Sequence, residues 1–177
     1  MMKQCVLRTA AVLGLVAVFC TACSGSGEDG RSARPSGSSA PPSSRPSVPT
    51  TAQVAEKVKN ALEERISADE EKFGVGQKSP CTPASPQLFT VRCETAADAT
   101  SDAADLALRE IDGRAGFATL NAGARKIQAA ARTYKSLGCA TGPTAADVRR
   151  ACLGPAAVIA QGFPDLRDGA NLGLAGK

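Results

Sequence analysis

Six apolar residues, Phe117, Leu120, Ala124, Ile127, Ala131 and Tyr134, follow one another in steps of three and four. That spacing lays all six along one seam of an α-helix, whereas a strand, with its period of two, would scatter them over both faces. A helix with such a seam needs partner surfaces to cover it. Three further stretches share the period. Val54, Val58, Ala61, Leu62 and Ile66 form a face that starts after Pro49-Thr50-Thr51 and runs to about Lys72. Ala97, Ala104, Leu108 and Ile111 follow Thr95, which with Asp98 makes a capping-box-like start. Val148, Ala151, Cys152, Val158, Ile159, Phe163 and Leu166 follow Thr144, with Asp147 three residues on. Gly138 is the expected stop of the third helix. In the fourth, Pro155 is expected to bend or restart the helix, and Gly162-Phe163-Pro164-Asp165 to break it again. The expected fold is all-α, a four-helix bundle-like domain over residues 52–177.

Alanine dominates these seams, and each alanine buries little apolar area. A small domain with such a core gains much from crosslinks. Cys81, Cys93, Cys139 and Cys152 allow three pairings. The shortest loops come from Cys81 with Cys93 and Cys139 with Cys152, each bridge stabilising by roughly 3 kcal/mol in the chain-entropy model. The first clamps the proline-rich stretch CTPASPQLFTVRC, and the second ties the end of helix three to helix four. Residues 88–92, LFTVR, are a candidate short strand that pairs with FGVG at 73–76, which places one short hairpin near 73–92.

The start of the chain reads differently. Lys3 and Arg8 precede an uncharged, mostly apolar run at residues 9–22. As a helix this run is roughly 21 Å long, too short to span a bilayer core comfortably. It has the pattern of a signal peptide over residues 1–22. The residues Cys20-Thr21-Ala22 before Cys23 are small at both specificity positions. This stretch resembles the lipobox of bacterial lipoproteins, although Cys20 stands where leucine, valine or isoleucine is usual. The resemblance covers residues 1–23 and implies that the Cys23 thiol receives a diacylglycerol and becomes the first residue. Ordinary signal peptidase also fits this site and cuts at the same bond. Parity favours lipid: in an oxidising compartment thiols pair, and with Cys23 acylated the other four pair evenly. Two or three acyl chains hold a protein stably on a membrane, where one does not.

Residues 24–51 contain nine serines, four glycines and five prolines in 28 positions. Such a composition cannot bury enough apolar area to offset ordering entropy, so residues 23–51 read as a lipidated cysteine followed by a disordered tether. Its flexible-coil reach is about 30 Å. The expected location is therefore extracytoplasmic, lipid-anchored to the bacterial cell membrane.

The net charge of +4 belongs mostly to the leader and tether, because residues 52–177 hold 16 Lys/Arg against 15 Asp/Glu. No nucleic-acid partner is expected. Histidine is absent, which removes the usual general base and the commonest transition-metal ligand. Ser-x-x-Lys, Gly-x-Ser-x-Gly, Gly-x-x-x-x-Gly-Lys and Cys-x-x-Cys do not occur, and both methionines, Met1 and Met2, lie in the leader. No cofactor or metal is expected. Asp98, Asp102 and Asp105, continued by Arg109 and Asp112, share one helical face, and three carboxylates suggest Ca²⁺. That ion takes six to eight oxygens, and the stripe lies away from Ala104, Leu108 and Ile111, as a solvated face does. Glu63, Glu64, Asp69, Glu70 and Glu71 read as surface charge, and Tyr134 as a core residue with its hydroxyl at an edge. The expected role is a non-catalytic binding or scaffold module with a protein or small-molecule partner. Two alternatives stand beside it: a module holding a small apolar ligand between helices, and a carboxylate-dependent hydrolase.

Overall fold

The computed structural model describes residues 48–176. Helix α1 spans Thr51–Phe73, α2 Val91–Ile111, α3 Ala118–Ser136 and α4 Ala146–Leu174, with 3₁₀ turns at Gly76–Lys78 and Cys139–Thr141. Helix α1 opens on a capping box. The Thr50 hydroxyl accepts from the Gln53 N–H at 3.3 Å, and the Gln53 side chain accepts from the Thr50 N–H at 2.9 Å. Two donors that the helix leaves unpaired are thereby satisfied. The helix stops at Gly74, whose φ is 69° and where a Cβ would lie 2.8 Å from the Lys78 carbonyl oxygen, so only glycine fits.

The expected hairpin is absent: among the described residues there is no strand. Pro80, Pro83 and Pro86 recur every third residue. Each sits second in a tight turn closed by N–H to C=O bonds from Thr82 to Ser79, Ser85 to Thr82 and Leu88 to Ser85. Proline favours that turn position and cannot donate to a ladder. Helix α2 then starts at Val91, four residues before the expected Thr95 cap. Thr90 is the cap, its hydroxyl accepting from the Arg92 N–H at 3.3 Å. Thr95 lies inside the helix and its hydroxyl donates back to the Val91 carbonyl at 2.9 Å.

Helix α3 buries all six seam residues with Phe117 as its cap, and Gly138 takes the left-handed conformation just past its end. Helix α4 corrects the expectation of a break, for it runs unbroken through both Pro155 and Pro164. Each proline forfeits one backbone bond. On both sides of them, however, the helix buries Cys152, Ala156, Ile159, Phe163, Leu166 and Ala170. Gly154, lacking a Cβ, also relieves the clash that normally bars helix just before proline. Thr144 does not cap α4: Ala145 holds the cap position and no side chain bonds there.

Cross-helix pairs show the topology. Lys57–Glu110 and Arg65–Asp102 join α1 to α2, and Lys135–Asp98 with Gln128–Asp105 join α2 to α3. In each set, stepping up one helix steps down the other, so neighbours are antiparallel. Between α3 and α4 the same holds, and there the packing is close. A Cβ added at Gly169 would sit 2.9 Å from the Leu120 Cα, and one at Gly173 would sit 2.5 Å from the Phe117 ring. The bundle is up-down-up-down, with an alanine-rich core around Leu62, Ile66, Ile111, Phe117, Leu120, Ile127 and Tyr134. Two poles result. The entry pole gathers the start of α1, the α2–α3 loop and the end of α4. The opposite pole gathers the end of α1, the start of α2, the end of α3 and the start of α4.

Candidate functional site

Both disulfides lie at the opposite pole, in the pairing with the shortest loops. Cys81 bonds Cys93 and Cys139 bonds Cys152, with Cα separations of 4.9 and 5.8 Å, and all four are fully buried. Tyr134 adds a polar tie: its buried hydroxyl donates to the Leu88 carbonyl. Burial, with a smaller contribution from Glu94, pushes the phenol up to about 12. The proline-rich loop is thus pinned by sulfur to α2 and by a hydrogen bond to α3. Cys23, the leader and the tether as far as residue 47 lie outside the described residues.

The aspartate stripe on α2 is divided among its neighbours. Asp98 pairs with Lys135 of α3, Asp102 lies 3.6 Å from Arg65 of α1, and Asp105 accepts from Gln128 of α3. Hydrogen bonding to Asp98 raises the Lys135 ammonium above its ordinary value. Arg109 is exposed, and Asp112 adopts a left-handed conformation as the end cap of α2. Among the described residues, no three His, Cys, Asp or Glu side chains gather as metal ligands.

The acidic end of α1 is divided as well. Asp69 pairs with Arg65 at 2.6 Å, and Glu64 and Glu71 are exposed. Glu63 and Glu70, two turns apart, both grip Arg167 of α4. The guanidinium donates to Glu63 at 2.8 and 3.0 Å and to Glu70 at 2.8 and 2.9 Å, a fork on each side. The hydrogen bond from Arg167 holds the Glu63 carboxyl below its usual value, and Glu70 foremost, then Glu63, raise Arg167. A general acid needs the opposite shift. Arg167 escaped the sequence reading, although one signal was present: two glutamates seven residues apart share a face and need a common cation.

Two concavities stand out. A cleft of about 330 Å³ at the entry pole, open to solvent, is lined by Val48, Pro49, Val54, Arg114 and Phe117. A shallower groove of about 590 Å³ runs between α3 and α4 past Ala118, Ala122, Gly123, Lys126, Asp165 and Asp168.

The opposite pole has a feature no periodicity displays. Lys72 and Arg92 both lie over the Phe73 ring, at 4.9 and 5.3 Å from its centroid, and Arg92 donates to the Lys72 carbonyl at 2.8 Å. Arg149 lies 3.9 Å over the Phe89 ring. The Arg92 and Arg149 contacts join segments far apart in the chain. No family model matches the sequence, and no curated protein or solved structure matches it either.

Proposed function

We propose that this chain is a cell-envelope lipoprotein whose helical domain works as a non-catalytic binding or scaffold module on the outer face of the membrane. The observation that carries the non-catalytic reading is the double grip of Arg167 on Glu63 and Glu70. It occupies two carboxylates of the acidic cluster on α1 and shifts Glu63 the wrong way for an acid. The stripe on α2 is likewise spent on neighbouring helices, so a carboxylate-dependent hydrolase has less support. Two formed disulfides fit an oxidising, extracytoplasmic environment. No described helix is long and apolar enough to cross a membrane. The lipobox-like stretch and the even pairing of the other four thiols support an anchor of lipid on Cys23.

Mass spectrometry of the protein extracted from membranes tests the anchor. The expected N-terminal peptide begins at Cys23 and carries a diacylglyceryl group. An unmodified Cys23 on protein found in the medium overturns it. Turnover that maps to residues 52–177 overturns the non-catalytic role. The 330 Å³ cleft supports a second reading, a site for a small apolar ligand beside Arg114. Loss of such binding on Phe117→Ala, with helicity retained, is its signature.

A further inference from the structure

We propose that the disulfide-bearing pole is a docking surface for a linear, phosphodiester-linked polyanion of the cell envelope. The charge asymmetry is local. Residues 72–92 contain Lys72, Lys78 and Arg92, flanked by Glu71 and Glu94, and residues 137–153 contain Arg149 and Arg150 against Asp147, an excess of two cations over the two segments with their flanks. All five cations are exposed, and among the described residues none of them pairs with a carboxylate. At the entry pole the α2–α3 loop balances Asp112 with Arg114.

Arg149 brings the two basic segments into contact. Arg149, from the start of α4, lies over Phe89 of the proline-rich loop, and Arg92 and Lys72 share Phe73. The Cys81–Cys93 and Cys139–Cys152 bonds close the loops that carry Arg92, Arg149 and Arg150, so the backbone at these three cations is held before binding and loses little ordering entropy. The clefts described above are lined by none of these five cations. A spread of charges without a pocket suits a chain that lies across it rather than a small anion. Arginine's weakly hydrated fork favours phosphate as the anionic group. Val91, 66% exposed beside Arg92, offers apolar contact to the polymer backbone.

A polymer is favoured over the anchoring membrane because the surface lies at the far end of the bundle from Thr51. Helix α1, 23 residues long from Thr51 to Phe73, spans roughly 35 Å of separation between them. This placement rests on the lipoprotein reading, whereas the binding test below does not need the anchor.

The test uses the full disulfide-bonded chain, with poly(glycerol phosphate) as the probe and sedimentation or calorimetry as the readout. Binding is expected, weakening roughly tenfold or more between 50 and 200 mM salt because each released counterion gains less entropy in the more concentrated solution. The triple variant R92Q/R149Q/R150Q is expected to lose roughly tenfold or more in affinity, and K72Q/K78Q, which removes no described side-chain hydrogen bond, to lose less in the same direction. R114Q/R125Q/K126Q, at the other pole and on α3, is the control and is expected to bind as the parent does. The proposal is overturned by absence of binding, by equal loss in the control, or by full retention in both pole variants. Binding to polygalacturonate as tight as to the phosphate polymer overturns the choice of phosphate. Equal binding to vesicles with 30% phosphatidylglycerol overturns the choice of a polymer. Since no lipid on Cys23 enters these measurements, their failure leaves the anchor reading to its own experiment.

Discussion

At one pole, Cys81–Cys93 and Cys139–Cys152 close the loops on the helix starts, and Tyr134 holds Leu88 in place. At the entry pole no covalent tie exists among the described residues. There α4 lies against α3 only because Gly169 and Gly173 leave room for Leu120 and Phe117. The two devices act on different states. A disulfide works mainly by restricting the unfolded chain, so it asks little of the native packing. A glycine contact works in the native state alone, where one added methyl has nowhere to go. The same alanine-rich bundle is thus closed by covalent bonds at one end and by shape at the other.

The largest expected effect is at the crosslinked pole. Replacing all four paired cysteines with serine should remove about 6 kcal/mol, which is comparable to the whole stability of many domains. Urea unfolding with hydrogen exchange should show the pole that carried the disulfides losing protection first. If the entry pole opens first, the contrast between the poles is wrong. Next comes Gly169→Ala, expected to cost about 2–3 kcal/mol because its Cβ would meet the Leu120 backbone. Gly123→Ala is the matched control: a Cβ there meets nothing within 4 Å, so the better helix former should raise stability by about 0.5–1 kcal/mol.

Tyr134→Phe should cost about 1–2 kcal/mol by leaving the Leu88 carbonyl without its donor. It also carries a pH signature. The phenol's folded pKa of about 12 lies above its ordinary 10.0. Its contribution is therefore complete below pH 10 and disappears as pH rises through about 12, and the phenylalanine variant should lack that alkaline loss. Smallest is Arg167→Gln on the flank between the poles, about 1 kcal/mol after solvent screening. Glu63 is shifted down, so its contribution is present above the ordinary 4.5 and fades as pH falls below it. Acid melts of the variant should lack this component.

The helices were legible because apolar spacing reports burial directly: Val58, Leu62 and Ile66 on α1 and the six residues of the α3 seam are buried as their period requires. The disulfide pairing was legible because short loops close most readily. The continuity of α4 was not. Proline's effect on a helix is local, whereas what holds α4 together across Pro155 and Pro164 is packing against helices distant in sequence. The start of α2 was misplaced because Thr90 and Thr95 look alike until the turns built on Pro80, Pro83 and Pro86 deliver the chain to Val91. That Ser-Pro-x-Thr-Pro-x-Ser-Pro rhythm was itself a readable turn signal. Glu63 and Glu70, seven residues apart on one face, signalled a shared cation, but neither Arg167 as its identity nor the stacked cations at the crosslinked pole could be read, since periodicity assigns a residue to a face and not to a partner.

The position of the first sulfur bridge has a mechanical consequence. A load carried between Thr51 and Arg92 runs along α1 and then meets the Cys81–Cys93 bond, which shorts the loop beyond it. Helix α1 lies wholly before both bridges in the chain. Pulled from about 35 Å as a helix towards roughly 80 Å extended, α1 would strip Val58, Leu62 and Ile66 from the core, and the covalent bond would then carry the load past the proline-rich loop.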